Sequence, residues 1–360
     1  MSKTYFFSAD NASVVFRISR KENGFSATER IFIAGSFNSW LFNQAKKKDW
    51  EMIDSGAGEA FLVLEKPANQ LRIPGNSGFP EFVFLRLGED GSMGALSLPE
   101  SFEGVSFLGN QVLLYPEDNP VEIRLAAAVA GKIKKMADFD LTEPSAVGDI
   151  SNFRQVPGCK KLFRSYHPYK KSFPQFDTEN KRSALVKELI EKNGISSIIC
   201  LCGNEKAEKE AGETVSDYQA LLIEKGNELF IDTSYEAVYF FSAEHGFCSV
   251  FTNIVRFILS HPSPFLVHCR LGSDRTGVVC ALLASLCGAS WDEIAFDYEK
   301  TRRIGILQYR DSRLLKYSLE QITGHLIEKG SSLQIGIEAF FIKGGYLTQK
   351  EIDSLKAALN

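Results

Sequence analysis

Pro264-Phe-Leu-Val-His-Cys-Arg-Leu-Gly-Ser-Asp-Arg-Thr-Gly277 leads into an apolar run from Val278 to Gly288. Residues 264–268 predict a short buried strand, and the apolar run, rich in Ala, Leu and Cys, predicts a core helix. A loop that joins a strand to a helix N-terminus carries backbone N–H groups without helical partners, and the helix dipole adds positive potential there. The stretch therefore predicts an anion-binding loop at the end of a buried strand.

Cys269 lies within this loop, six positions before Arg275. Positive potential at a helix N-terminus favours the thiolate form of a cysteine. We therefore predict that Cys269 is a nucleophile toward phosphorus and needs no separate base. The alternative is an inert buried cysteine, which would leave the charged residues of the loop at a core edge without a ligand, a costly arrangement.

The other loop residues are assigned roles by chemical type. Arg275 presents a planar guanidinium that matches two phosphoryl oxygens. Thr276 can donate a hydrogen bond to the cysteine sulfur, and Gly272 allows the backbone to curl so that successive N–H groups converge. We expect His268 to orient the loop through backbone hydrogen bonds rather than to act as a base. The predicted phosphate-binding set is Arg270, Leu271, Gly272, Ser273 and Thr276.

The loop resembles the signature of the cysteine-dependent protein tyrosine and dual-specificity phosphatase superfamily. Its Asp-Arg-Thr-Gly ending is most similar to the bacterial and fungal tyrosine and lipid phosphatase family, whose usual loop reads His-Cys-x-x-Gly-Lys-Asp-Arg-Thr-Gly. The resemblance covers roughly residues 148–360 and implies hydrolysis of phosphomonoesters, phosphotyrosine above all, through a phosphocysteine intermediate. It also rests on Asn152-Phe-Arg154, Leu162-Phe-Arg-Ser165, the segment Gly288–Tyr298 and the C-terminal segment Gly336–Leu359.

Two departures from the family pattern bear on the substrate. Ser273 stands where the family usually has the lysine associated with phosphoinositide substrates. The segment Ile199-Cys-Leu-Cys202 replaces the family's Asp-Leu-Arg, so one phosphate-proximal arginine is missing. Arg270, within the loop itself, can compensate in part.

Hydrolysis also requires a carboxylic acid near the leaving oxygen. The chain has no Trp-Pro-Asp tripeptide, and the resemblance implies that Asp274 is the general acid. Asp274 could instead pair with the adjacent Arg275, which would make it a poor acid. The alternatives are Asp232, Glu236 and Glu244.

Residues 1–125 predict a different fold. Short β-branched and aromatic runs are separated by Gly, Asn, Asp and Pro, which indicates an all-β, immunoglobulin-like sandwich. The predicted strands lie at residues 12–19, 30–35, 60–64, 81–86, 111–115 and 121–125. Residues 126–149 are interpreted as a linker or crossover.

The segment Ile31–Trp40, followed by Trp50-Glu-Met52, resembles starch- and glycogen-binding sandwich modules. In that reading Trp40 is a core residue. Trp50 is either a sugar-stacking platform or part of the sandwich packing, and the later Trp-Lys sugar-binding pair of those modules is absent. A glucan is therefore one predicted partner, and a structural or oligomerisation role is the alternative.

From residue 150 to 360, helical and strand patterns alternate, which predicts an α/β domain with a parallel sheet flanked by helices and a ligand at the carboxyl ends of its strands. Seven cysteines without paired spacing, together with a thiolate nucleophile, favour the reducing cytoplasm. We expect no metal or cofactor, since Cys200-x-Cys202 has a buried-strand pattern.

The composition limits the partners. A net charge of −4, from 41 basic and 45 acidic residues, argues against general nucleic-acid binding, and the N-terminal residues lack the apolar core of a secretory signal. No apolar run is long enough for a membrane span. The predicted substrate is a phosphorylated protein or a small phosphomonoester. The alternatives are a glucan or inositol/phosphoinositide phosphatase, and an inactive module that binds phosphorylated partners.

Overall fold

A computed structural model describes ten segments of the chain, which divides into two compact units, Met1–Ala128 and Val129–Asn360. The described segments are residues 4–26, 28–41, 44–56, 61–88, 91–96, 106–107, 110–130, 132–203, 215–306 and 309–360.

The first unit contains two antiparallel sheets. One sheet has the strand order β1-β2-β5-β4, and the other has the order β3-β6-β9-β8, with β7 paired to β6. The strands are β1 Tyr5–Phe7, β2 Ser13–Ser19, β3 Ile31–Gly35, β4 Ile53–Asp54, β5 Phe61–Pro67, β6 Glu81–Leu87, β7 Met93–Ala95, β8 Ser106–Phe107 and β9 Asn110–Val112. Alternate residues of both sheets, including Phe16, Leu62, Phe82 and Phe84, share one apolar core.

Two predictions for this unit need correction. Residues 121–125 do not form a strand, because they lie in the helix α2, Pro120–Ala130; a short α1 covers Arg20–Asn23. Asn119 accepts a hydrogen bond from the backbone of Val121 and Pro120 is the first helical residue, which together start a helix. The predicted strand 111–115 is shorter, since β9 ends at Val112.

The second unit contains one five-stranded sheet with the order β10-β11-β14-β12-β13. Strands β11, β14, β12 and β13 run parallel, and β10 pairs antiparallel with β11 at one edge. The strands are β10 Arg154–Gln155, β11 Leu162–Ser165, β12 Ser197–Cys200, β13 Glu228–Phe230 and β14 Phe265–His268.

Ten α-helices and two 3-10 helices, Met136–Asp138 and Lys300–Ile304, accompany this sheet in the described part of the unit. The α-helices are α3 Pro144–Ser151, α4 Thr178–Lys192, α5 Asp217–Glu224, α6 Tyr235–Tyr239, α7 His245–Ser260, α8 Asp274–Leu286, α9 Trp291–Glu299, α10 Ser312–Thr323, α11 Gln334–Lys343 and α12 Gln349–Leu359. Capping boxes start α9, where Ser290 pairs with Glu293, and α12, where Thr348 pairs with Glu351.

The central strand β14 separates two apolar clusters. Phe265 and Val267 pack with α7 and α8 in one cluster, whereas Leu266 packs with α4 residues in the other. Because successive strand residues point to opposite faces, this division places helices on both faces of the sheet. The continuous apolar run of β14 follows from burial on both faces.

Within the described residues, no helix is both long and apolar enough to cross a lipid bilayer.

Candidate active site

Cys269 directly follows β14, and α8 begins five residues later at Asp274. The Cys269 residue is only 2 % exposed. We call residues 269–273 the Cys269 loop. This loop lies at the carboxyl end of the central parallel strand and leads into a helix N-terminus, where backbone N–H groups lack helical acceptors.

Gly272 is required by the path of the Cys269 loop. Its φ is +71°, and a Cβ atom there would lie 2.1 Å from the carbonyl oxygen of Ser165. No side chain fits at that distance, so Gly272 lets the loop pass directly against the end of β11. This is the position at which the sequence predicts a tight curl.

Buried polar groups hold the carbonyl side of the loop. Asn152 Nδ2 donates to the Leu271 carbonyl at 3.0 Å, and Arg164 Nη2 donates to the Gly272 carbonyl at 2.7 Å. Arg164 Nη1 also donates to Asp297 Oδ2 at 2.7 Å, and Arg154 Nε donates to Asp297 Oδ1 at 2.5 Å. With its carbonyls bound from behind, the loop is fixed while its N–H groups remain on the other side.

Asp297 is the anion of this arrangement, which we call the Asp297 clamp (Arg154, Arg164 and Asp297). Burial alone would raise the pKa of Asp297, but the two arginines outweigh it and hold the pKa below its ordinary value. Burial likewise disfavours the charge of Arg164, yet Asp297 raises the pKa of this guanidinium. The sequence analysis included these residues in motifs but assigned them no role.

The hydroxyls of Ser273 and Thr276 lie at the start of α8 and are almost fully buried, at 1 % and 0 % exposure. Neither oxygen has a hydrogen-bond partner among the described residues. The predicted hydrogen bond from Thr276 to the Cys269 sulfur is therefore not formed in this structure. Buried hydroxyls usually have partners, so these two are available to a ligand or to the sulfur.

Arg270 of the Cys269 loop and Arg275 of α8 have different surroundings. Arg275 is half-buried, and its Nη1 donates to the carbonyls of Leu201 and Thr233 at 3.1 and 3.3 Å. Arg270 is exposed; its Nη2 donates to the Ser172 carbonyl at 2.9 Å, and its guanidinium lies over the Phe173 ring. Arg275 is thus held against the ends of neighbouring strands, whereas Arg270 lies at the outer rim.

Asp274 pairs with Arg310 rather than with the adjacent Arg275. Arg310 Nε donates to Asp274 Oδ1 at 2.6 Å, and the Tyr239 hydroxyl donates to the same oxygen at 3.1 Å. Burial disfavours the charge of Arg310, but the carboxylate outweighs burial and raises the pKa of Arg310. The sequence analysis missed Arg310 and Tyr239, because both are more than 30 positions from Asp274.

The alternative acids lie elsewhere. Asp232, Glu236 and Glu244 are all exposed. Asp232 immediately precedes Thr233, whose carbonyl binds Arg275, and it forms an isolated β-bridge with Cys202. Asp232 is therefore connected to Arg275 through its neighbour Thr233.

His268 ends β14 and is completely buried. Its Nδ1 lies 3.4 Å from the Cys269 carbonyl oxygen, and burial, with His167 nearby, lowers its pKa well below the ordinary value. The His167 ring packs edge-on against the His268 ring with centroids 4.7 Å apart. A neutral, buried imidazole suits an orienting residue better than a base.

Trp50 belongs to the first unit and is half-buried. Its ring stacks on Phe37 with centroids 5.2 Å apart, and Lys66 lies over it at 4.8 Å. These contacts pack Trp50 within the first unit, and the glucan contact at Trp50 stays a prediction. Trp40 also packs at the edge of an apolar cluster.

Comparison with known proteins identifies the family of the chain. The family model described as the tyrosine phosphatase family matches residues 147–359. The core catalytic domain of the PP-IP phosphatase SIW14 from S. cerevisiae is similar at 17 % identity and a TM-score of 0.30, covering 55 % of this chain and 94 % of that one. A candidate phosphatase from Neisseria meningitidis has 16 % identity and a TM-score of 0.25, covering 44 % and 89 %. No curated protein sequence matches the chain significantly.

Proposed function

Because the chain belongs to the tyrosine phosphatase family and is a phosphomonoester hydrolase, we propose that Cys269 is its nucleophile and forms a phosphocysteine intermediate. The observation that carries this proposal is the position of Cys269 at the end of β14, in a loop whose close contact with Ser165 only glycine at 272 allows. The loop N–H groups and the unpaired hydroxyls of Ser273 and Thr276 then bind the phosphoryl oxygens.

In the first step the Cys269 sulfur forms a bond to phosphorus while the bond from phosphorus to the leaving oxygen breaks. Asp274 donates its proton to that oxygen. In the second step water attacks phosphorus, Asp274 accepts the proton of the water, and the S–P bond breaks to release phosphate. No redox partner is needed, since the thiolate is regenerated.

The proposed acid Asp274 is held in place by Arg310, whose Nε lies 2.6 Å from Asp274 Oδ1. Arg275 contributes its guanidinium to the charge that develops on phosphorus, while Arg270 supplies positive charge at the rim.

Phosphotyrosine is the proposed substrate class. It is supported by the family description and by Ser273 at the position of a lysine that the resemblance connects with phosphoinositides. We further propose that residues 150–360 form the catalytic domain, that residues 126–149 link it to an immunoglobulin-like sandwich of residues 1–125, and that the enzyme works in the cytoplasm, where its seven unpaired cysteines stay reduced.

The test is phosphate release from a phosphotyrosine peptide, a phosphoserine peptide, phosphoinositides, inositol hexakisphosphate and phosphorylated amylopectin. Cys269→Ser should abolish release, while Cys287→Ser, at the far end of α8, should retain it. Turnover by Cys269→Ser at the wild-type rate would disprove the mechanism. Preference for any substrate other than the phosphotyrosine peptide would replace the proposed substrate class.

The acid is tested separately. Asp274→Asn should slow hydrolysis of the phosphotyrosine peptide by about 10²–10⁴-fold and should slow an aryl phosphate with a strongly electron-withdrawing ring far less. Asp232→Asn is the matched control. If Asp232→Asn shows this dependence on the leaving group and Asp274→Asn does not, the acid is Asp232.

A further inference from the structure

Two histidine and two cysteine side chains meet at the ends of three adjacent strands, next to the start of the Cys269 loop. Ser165 of β11, His268 of β14 and Cys200 of β12 are register partners across the parallel sheet. Residues two apart on an extended chain share a face, so this register also brings in His167, two positions after Ser165, and Cys202, two positions after Cys200. Their four ligand atoms all lie within 4.8 Å of one another.

We propose that His167, Cys200, Cys202 and His268 form a structural zinc site. Two thiolates and two imidazoles in a tetrahedral arrangement are a ligand set that zinc prefers. This proposal replaces the expectation of no metal, which rests on the local buried-strand pattern of Cys200-x-Cys202.

The sulfur geometry fits this metal. The two Sγ atoms of Cys200 and Cys202 are 3.7 Å apart. Two ligands about 2.3 Å from a tetrahedral zinc ion are separated by about 3.8 Å. A disulfide would need about 2.05 Å, so the side chains are arranged as two ligands of one ion rather than as a bonded pair.

The burial of the four side chains and the charge of the complex also support a zinc site. His167, Cys200 and His268 are completely buried, and Cys202 is half-buried. A divalent ion bound by two thiolates and two neutral imidazoles carries no net charge, so the site avoids the cost of an isolated buried charge.

The surroundings of His268 are those of a metal ligand. Its Nε2 is buried and has no hydrogen-bond partner among the described residues. Its Nδ1 faces the Cys269 carbonyl at 3.4 Å. Ligating histidines commonly donate their second ring N–H to a backbone carbonyl in this way.

His167 is held differently, since its Nδ1 accepts from the Lys170 amide at 3.1 Å. An accepting Nδ1 places the ring proton on Nε2. Metal binding through His167 therefore requires loss of the Nε2 proton or of the Lys170 contact, and substitution of His167 tests whether the site uses all four ligands.

The zinc ion would stabilise the structure and would take no part in the phosphatase reaction. All four positions of the ion are taken by protein ligands, and the group does not include Cys269. The ion would join the ends of β11, β12 and β14, on which the Cys269 loop begins. This proposal does not depend on the proposed function, because metal content is measured without substrate.

The test uses the full chain, purified with a reductant and a chelator, loaded with zinc chloride and freed of excess metal. We expect about one tightly bound zinc ion per chain. The double variant Cys200→Ser/Cys202→Ser should bind almost none. The control is Cys159→Ser/Cys287→Ser, which removes another pair of interacting thiols and should keep the wild-type zinc content.

Cobalt reports the ligand set even where stability changes. Co²⁺ in the wild type should give the intense visible bands of tetrahedral coordination and a thiolate charge-transfer band, and His167→Gln should shift the visible bands and weaken binding. The proposal would be overturned if the wild type bound no more zinc than the double variant. It would also be overturned if Cys200 and Cys202 formed a disulfide in protein purified with a reductant. Unchanged cobalt spectra in His167→Gln would overturn the four-ligand site.

Discussion

The two units of the chain bury different kinds of side chain. The core of the first unit is dominated by aromatic and aliphatic residues such as Phe16 and Phe84. Its buried carboxylate, Glu81, accepts hydrogen bonds from the neutral side chains of Ser77 and Asn110. Its Arg20 pairs with Asp54, whose side chain is 63 % exposed. The second unit buries ionic groups completely: Arg164 and Arg182 are 1 % and 0 % exposed, and Asp297 is 4 % exposed. Buried ion pairs carry a desolvation cost that packing does not require. The Asp297 clamp binds the Gly272 carbonyl through Arg164, and we interpret its buried charges as fixing the geometry of the Cys269 loop rather than as a source of stability.

The largest expected effect comes from breaking the Asp297 clamp. Asp297→Asn leaves Arg154 and Arg164 buried without their anion and should destabilise the second unit by about 3–5 kcal/mol. Urea unfolding, with phosphatase activity measured in parallel, checks this. Stability within about 1 kcal/mol of the wild type would show that the buried charges are not specifying the loop.

The next effect is local to the loop. Gly272→Ala places a methyl group against the Ser165 carbonyl and strains a residue with φ +71°. The backbone conformation alone should cost about 1–3 kcal/mol, and activity should fall with it. Gly246→Ala in α7 is the control, because a Cβ there meets no atom within 4 Å. Equal activity in both variants would contradict the close contact.

The third prediction concerns pH. The pKa of Asp297 is lower in the folded protein than its reference value of 3.8, so its contribution to stability is complete above that value and is lost as the pH falls toward the folded-state pKa. The stability difference between wild type and Asp297→Asn should therefore narrow below pH 3.8. Unfolding curves of both proteins from neutral to acidic pH measure it. A constant difference would mean that Asp297 is not ionised in the clamp.

The smallest effect is expected in the first unit. Asp54→Asn removes the partner of Arg20, but Asp54 is largely solvated. Exposed pairs contribute about 0–1 kcal/mol, so the free energy of unfolding should change little. If Asp54→Asn lowered the free energy of unfolding as much as Asp297→Asn does, the ion pairs of the two units would not differ in importance.

The sequence predicts what depends on local pattern. The strand before Cys269 and the helix after it follow from two adjacent apolar runs, and Gly272 follows from the need for a tight curl. Residues 121–125 were mispredicted because their β-branched and aliphatic content was weighted above the helix start at Asn119-Pro120. The residues just before this segment, Asn119 and Pro120, therefore determine that it forms a helix.

The rest depends on contacts between distant residues. Asp297 is 143 positions from Arg154, and Arg310 is 36 positions from Asp274. Each partner looks like an ordinary charged residue in its own segment, and only the pairing of strands and helices brings them together. The same holds for His167 and His268, which complete the pair Cys200 and Cys202 only through the register of the parallel sheet.

The burial of Cys269 sets a size limit on reagents that could label or inhibit the enzyme. With only 2 % of the residue exposed, a small oxidant can reach the sulfur where a bulky maleimide cannot. Hydrogen peroxide should therefore modify Cys269 under conditions in which large thiol-directed probes react first with the half-buried Cys202 and Cys287. For inhibitor chemistry, a compact electrophile that first binds as an anion in the Cys269 loop is a better starting point than a large, highly reactive one.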